Sequence, residues 1–314
     1  METIYKHGKI EYLLGDCFEW LDARRAHSVH GVVTDPPFGL EYTRRELDAR
    51  RNGNRGGVWR LPPAFDDYQR QPLPRFTVLS EKDHAEMEEF FHDWAIRLFP
   101  VLVPGAHVLI ASNPLVAHVV GDAFQAAEFE RRGTIIRMVR TLRGGDRPKF
   151  GHDEFPEVSV IPKALYEPWL LFRKPLDGRI TDNLEKWWTG GLRRPERDRP
   201  FEDVINSGRA PARERAVAPH WSLKPQAFLR QVVRAILPVG KGTVLDCFAG
   251  SGSTLAAAGA VGYRAVGIEL DPSVAAMAGI AIPALKNLQM NGNGNGNGKS
   301  PTDASRTSAG LAHG

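Results

Sequence analysis

Between residues 222 and 270 the chain runs helix, strand, glycine turn, helix, strand, and that order leaves few folds open. KPQAFLRQVVRAIL (224–237) is an amphipathic helix, and GTVLDCF (242–248) is a short buried strand. AGSGSTLAAAGAVG (249–262) is a glycine-rich turn running into a small-residue helix, and YRAVGIELD (263–271) is a further strand. A strand, a helix and a second strand in this order pair in parallel through a right-handed crossover. The spacing therefore predicts an α/β protein on a mostly parallel sheet.

The remaining elements are compatible with that sheet. IYKHGKIEYLL (4–14) reads as a strand pair, CFEWLDARR as a short helix and GVVTD as a buried strand. Residues 80–99 read as a helix that Ser80 can cap, with Met87, Phe90, Phe91, Trp94 and Leu98 forming its apolar stripe. AHVLIAS, a helix over roughly 115–129, and TIIRMVRTL follow. Residues 41–78 lack periodicity and read as an inserted loop. Residues 143–215 read as irregular apart from EPWLLFRK, with Trp169, Trp187 and Trp188 as core residues. The NGNGNGNG tail over 290–314 cannot bury a core and reads as disordered. One catalytic domain over 1–289 is expected.

Of 314 residues, 42% are hydrophobic and 25% charged, which excludes global disorder. The net charge is +4, but arginines crowd 44–75, 131–149 and 193–215, as suits a polyanionic partner. Two cysteines, Cys17 and Cys247, make neither a disulfide framework nor a zinc set, and no metal is expected. No signal-peptide core and no run of about eighteen apolar residues is present. A cytoplasmic protein with no membrane partner is expected.

In VLDCFAGSGST (244–254), glycines let a ligand approach the backbone and leave amides free at a helix start. For Gly250 and Gly252 alone, a plain strand-to-helix turn is an equal reading. Gly240-Lys241 lacks the leading glycine of a P-loop, and Leu255 stands where a dinucleotide fingerprint needs its third glycine. Glu269, ending the next strand, can accept both hydroxyls of a ribose. An adenosine without a pyrophosphate fits, and S-adenosylmethionine is such a ligand, with Phe248 as part of an adenine wall.

The second unusual stretch is TDPPFG, residues 34–39, directly after a buried strand. Pro36 and Pro37 have no N–H to donate and fix φ, so the strand ends in a rigid corner that presents carbonyls. Asp35 adds a carboxylate and Phe38 a flat apolar face. The set suits an amino group on a planar ring: Asp35 and the Pro36 carbonyl each accept one N–H. Phe38 stacks on the ring, worth about 1–3 kcal/mol by analogy with base–aromatic stacking. Two acceptors out of the ring plane pull the nitrogen towards tetrahedral geometry and free its lone pair for an in-line methyl transfer. Positioning and charge placement supply most of the rate.

Asp35-Pro36-Pro37-Phe38 first, an arginine-rich middle, and Phe248-Ala249-Gly250-Ser251-Gly252 last resembles the β class of DNA amino-methyltransferases, acting on adenine N6 or cytosine N4. RNA and protein-glutamine methyltransferases of related motif usually reverse this order. The resemblance covers about residues 10–40 and 95–285. It implies a Rossmann-like fold with a mostly parallel seven-stranded sheet, one strand antiparallel, and circularly permuted motifs. Leu14-Gly15-Asp16-Cys17 resembles the family's early turn, where the acid nears the cofactor adenine. His220-Trp221-Ser222-Leu223-Lys224-Pro225 resembles its H-x-[ST]-x-KP element, which implies Ser222 and Lys224 near the methionine carboxylate.

The resemblance thus implies Asp35, Pro36, Pro37 and Phe38 as catalytic residues. The implied cofactor set is Asp16, Cys17, Asp35, Ser222, Lys224, Asp246, Phe248, Ala249, Gly250, Ser251, Gly252, Glu269 and Leu270, within a segment over about 219–285. Residues of about 141–218 occupy the target-recognition slot, and Ser112-Asn113 lines the base pocket. Double-stranded DNA is the implied partner, with base flipping. A homodimer and a cognate restriction endonuclease are further partners the class implies. Asp in the first motif position favours adenine N6 over cytosine N4. An inactive DNA-binding protein of this fold, or a nicotinamide-dependent dehydrogenase, are the readings of another class.

Overall fold

A computed structural model describes residues 1–37, 81–139, 147–148, 151, 153–160, 162–220 and 222–289. Phe38, the stretch to Ser80, Trp221 and the glycine–asparagine tail lie outside the described residues, and so do the expectations made for them.

The strands in chain order are β1 (Glu2–His7), β2 (Ile10–Leu14), β3 (Val29–Thr34), β4 (Leu102–Ala111), β5 (Glu130–Met138), β6 (Tyr166–Arg173), β7 (Val204–Asn206), β8 (Thr243–Asp246) and β9 (Arg264–Glu269). They form one sheet in the order β1-β2-β9-β8-β3-β4-β6-β5-β7. The expected seven strands are its middle, from β2 to β5, and within them only β6 runs against its neighbours. The sheet has nine strands rather than seven: β1 adds an antiparallel edge strand to β2, and three-residue β7 pairs in parallel with β5.

Eight helices are described: α1 (Cys17–Asp22), α2 (Glu81–Val101), α3 (Ala117–Ala126), α4 (Ile180–Trp187), α5 (Ala212–Val217), α6 (Gln226–Ile236), α7 (Ser253–Ala260) and α8 (Pro272–Asn287). Alternation along the strands sorts the core into two layers. Val32, Val108, Ile110, Leu245 and Val266 pack with Phe91, Trp94, Leu98 and Phe124 of α2 and α3. Val33, Leu109, Val244 and Ala265 face the other way, onto Phe228, Val232, Leu255 and Ile282 of α6, α7 and α8. No helix among the described residues is long and apolar enough to cross a membrane.

Two sequence expectations need correction. The stretch 143–215 holds α4, β7 and α5 besides β6. Asn183, buried within α4, ties the helix to the loops beside it, donating to Pro104 O at 3.0 Å and Thr189 O at 2.9 Å. Trp188 is not core: it is 41% exposed and stacks on His30 at 5.8 Å.

Gly267 lies in β9 where the strand touches α7. A Cβ there would sit 2.6 Å from Leu255 Cδ1 and 2.9 Å from Ala249 Cβ, both buried. Gly267→Ala is expected to destabilise the chain by about 1–3 kcal/mol in urea unfolding, the usual cost of overpacking. A change below about 0.5 kcal/mol, the range of ordinary surface substitutions, would contradict this packing.

Candidate active site

β3 and β8 are neighbours in parallel, Gly31 opposite Val244 and Val32 opposite Leu245. Their carboxyl ends therefore meet at one edge of the sheet. Thr34, fully buried, closes the junction by donating its hydroxyl to Asp246 Oδ1 at 2.6 Å. The chain leaves β3 directly into Asp35 and Pro36, and the buried Pro36 has no N–H to satisfy.

Asp35 Oδ2 accepts from Ser222 Oγ at 3.0 Å and forms a close ion pair with Lys224 Nζ. The Asp35 side chain is 23% exposed and that of Lys224 only 12%. Burial pushes the Lys224 ammonium down, but Asp35 and then Glu167 outweigh it and hold its pKa above the ordinary value. Lys224 lies two residues before α6, which packs against β3 and β4. Gln226 N, in the first turn of that helix, donates to buried Glu214 Oε2 at 2.9 Å, and Gln226 Nε2 donates to Ser253 O at 2.9 Å.

The glycine turn leaves β8 in the same place. Asp246 Oδ1 also accepts the Phe248 amide at 3.2 Å, and Ala249 N donates to Ile268 O of β9 at 2.9 Å. Gly250 and Gly252 have φ of +50° and +76°, a region that favours glycine. Gly250 N donates to Glu269 Oε2 at 2.9 Å, and Asp271 N donates to Oε1 at 2.9 Å. Burial pushes Glu269 up to about 7 despite these amides, and pushes Asp246 up to about 6 despite its donors. Tyr12, fully buried on β2, donates its hydroxyl to Gly250 O at 2.6 Å.

His220 bridges the two halves. Among the described residues a Cβ on Gly250 would meet only His220, with Cε1 at 3.6 Å, and His220 Nδ1 accepts the Ser222 amide at 3.4 Å. Burial lowers its pKa to about 4, against the pull of nearby Asp35, so its ring is neutral near pH 7. One continuous site thus carries an ion-paired carboxylate on one side and an open glycine turn with a buried acid on the other.

Residues 29–279 match the family model for DNA methylase, the group named for N6 and N4 methylation. The chain belongs to the DNA methylase family. The Type II methyltransferase M.HindIII of Haemophilus influenzae is 24% identical over an alignment of 267 residues, with 78% of this chain and 85% of that one covered. TTHA0409 of Thermus thermophilus, described as a DNA modification methylase and solved with S-adenosyl-L-methionine, superposes with a TM-score of 0.54. It is 23% identical, with 88% of this chain and 95% of that one covered. The PvuII DNA methyltransferase, cytosine-N4-specific, superposes with a TM-score of 0.57 at 14% identity, covering 92% and 90%. This DNA methylase accordingly has S-adenosylmethionine as its methyl donor.

Of the residues expected from the methylase sequence, the structure gathers Asp35, Ser222 and Lys224 in one cluster. It gathers Gly250, Glu269 and the Gly15-Asp16 turn in another, where Gly15 N donates to Glu269 O at 2.8 Å. Asp16 caps α1 by accepting from Phe18 N at 2.8 Å. Ala249 and Ser251 are buried in the turn, whereas Leu270, after Glu269, is 43% exposed. Phe248 packs against Trp94 at 5.2 Å, at the rim of the core. Asp246 and Cys17 are turned inward, at 2% and 6% exposure. A hydrogen bond to Cys247, then burial, raise the Cys17 thiol well above its ordinary pKa, and both free cysteines are buried. Ser112 N donates to Pro168 O at 2.8 Å, joining the end of β4 to β6.

Tyr12, Thr34, Glu214 and Gln226 escaped sequence reasoning. The one available signal was a tyrosine among aliphatic residues in β2. Tyr12→Phe leaves the Gly250 carbonyl without its buried donor. It is expected to cost about 1–3 kcal/mol in urea unfolding, with faster exchange of the amides in the glycine turn. Unchanged stability would contradict the bond.

Proposed function

We propose that this chain is a site-specific DNA methyltransferase acting on the N6 amine of a flipped adenine. The observation that carries this reading is the pairing of Asp35 with Ser222 and Lys224 beside the Gly250 turn. Aspartate in the first motif position, where a serine would favour cytosine N4, supports adenine.

The residues fit the methyl donor. Among the described residues only His220 comes near a Cβ at Gly250, so a ligand can lie against its backbone. Each Glu269 oxygen takes one backbone amide and keeps a lone pair for a ribose hydroxyl. In this reading Asp16, Cys17, Phe248, Ala249, Ser251, Gly252 and Leu270 shape the adenosine end, with Asp246 bracing the turn. Ser222 and Lys224 serve the methionine end. The bound donor supplies an electrophilic methyl on a positively charged sulfur.

Asp35 and the Pro36 carbonyl accept the two hydrogens of the amine, with Asp35 held in orientation by Ser222. Pro36 and Pro37 keep the corner rigid, and Phe38 stacks on the base. The arginine-rich residues of about 141–218 contact DNA phosphates and base edges. A duplex base is out of reach of such a corner, so the target leaves the stack.

Asp35→Ala is expected to bind S-adenosylmethionine within about twofold of the parent by calorimetry and to lose at least about 100-fold in labelled methyl transfer to unmethylated genomic DNA. Transfer near the parent rate would overturn the assignment.

Glu269 must be ionised to accept two hydroxyls, and its pKa is raised to about 7. Cofactor affinity is therefore constant above pH 7 and falls as pH drops below it, by about tenfold per unit at the limit. Glu269→Gln is expected to bind weakly at every pH and to lose this slope. A parent affinity that stays flat from pH 5.5 to 8 would contradict the role.

A further inference from the structure

Glu167 on β6 sits behind the Asp35–Lys224 pair. Its Oε2 accepts from Arg137 Nη1 at 2.7 Å. Arg137 is itself fixed and buried: Nε donates to Ser207 Oγ at 3.1 Å, Nη2 donates to Gly208 O at 2.7 Å, and the guanidinium lies over the Phe228 ring at 5.4 Å. The other oxygen of Glu167, Oε1, is buried and has no hydrogen-bond partner among the described residues. It points at Lys224, with Nζ 3.6 Å away.

A buried carboxylate oxygen without a donor is unfavourable and calls for a state in which it is satisfied. The nearby donor is the Lys224 ammonium, which here prefers Asp35. A shift of about one ångström would bring it to hydrogen-bonding distance of Glu167. The four groups Arg137, Glu167, Lys224 and Asp35 carry two charges of each sign, so the shift exchanges one ion pair for another. Among the described residues the other titratable neighbours of Asp35 are neutral His220 and buried Asp246.

We propose that Glu167 is a positioning residue for methyl transfer: its free oxygen is the second seat of the Lys224 ammonium, which moves there when a base amine is presented to Asp35. The inference rests on Asp35 being the acceptor of that amine. While Lys224 stays on Asp35, the carboxylate charge is neutralised and it accepts the amine weakly. With Lys224 on Glu167, Asp35 meets the amine with its full charge as positive charge grows on the nitrogen.

The test is a double-mutant cycle on the full chain, with labelled methyl transfer to unmethylated genomic DNA as the readout. Glu167→Gln is expected to lower kcat by about 30-fold while KM for DNA and cofactor stays within about twofold. In a Lys224→Met background the same substitution is expected to change kcat by less than about threefold, because no ammonium remains to be reseated. A purely structural role, through Arg137, would give the same loss in both backgrounds and overturn the proposal. So would a Glu167→Gln enzyme with parent kcat. Glu167→Asp keeps the charge and serves if the glutamine variant does not fold: it is expected to retain at least about a third of the parent kcat, and a loss as deep as that of Glu167→Ala would overturn the proposal. Asp35→Asn is run alongside. If it methylates at the parent rate, the reading of Asp35 itself has failed. If it is inactive while Glu167→Gln is fully active, only the second seat has failed.

Discussion

The parallel contact between β3 and β8 is the constraint on which the site depends. Residues 212 positions apart, Thr34 and Asp246, meet there through one buried hydrogen bond. With Val32 opposite Leu245, the Asp35 corner and the Gly250 turn must emerge on the same edge of the sheet. Ligands of open α/β sheets bind at that carboxyl edge because loops, not hydrogen-bonded strand, supply the contacting groups. A slip of one residue would turn Val32 and Val33 to the wrong layers, so the two cores hold the register that aligns the site.

Around that edge the protein buries charge in pairs. Asp35 and Lys224 neutralise each other, and Glu167 on β6 and Arg137 on β5 do the same. Lone carboxylates behave differently. Asp246 and Glu269 have no cation at hand among the described residues, are satisfied by hydroxyl and amide donors, and rise to about 6 and 7. Both raised values mean that the folded state binds protons more tightly than the unfolded chain, so this pair costs stability as pH rises towards 7. That cost falls at residues that brace or line the glycine turn, consistent with selection for a site rather than for stability.

Much of the architecture was legible in the sequence because local pattern and tertiary fold agree there. The β-branched runs became β3 and β8, the stripe Met87–Leu98 became the buried face of α2, and the glycines fell where φ is positive. Asp35-Pro36-Pro37 was legible because two prolines permit few backbones. The region 143–215 was not, since α4 and β7 are short and depend on distant partners such as Pro104 and β5. The same holds for Tyr12, whose partner Gly250 lies 238 residues away, and for Glu167, which in sequence is one acid in a strand. Ser222 and Lys224 stood out by resemblance, but their seat on Asp35 did not, Lys224 reaching it across 189 residues.

The central claim is that the corner and the turn form one site for methylating an exocyclic adenine amine. The most direct measurement is to incubate the protein with unmethylated genomic DNA and S-adenosylmethionine labelled in its methyl group, digest the DNA to nucleosides, and identify the labelled one by mass spectrometry. The account predicts label in N6-methyldeoxyadenosine alone. Label in N4-methyldeoxycytidine would contradict the choice of base, and label in 5-methyldeoxycytidine or in no nucleoside would contradict the site itself.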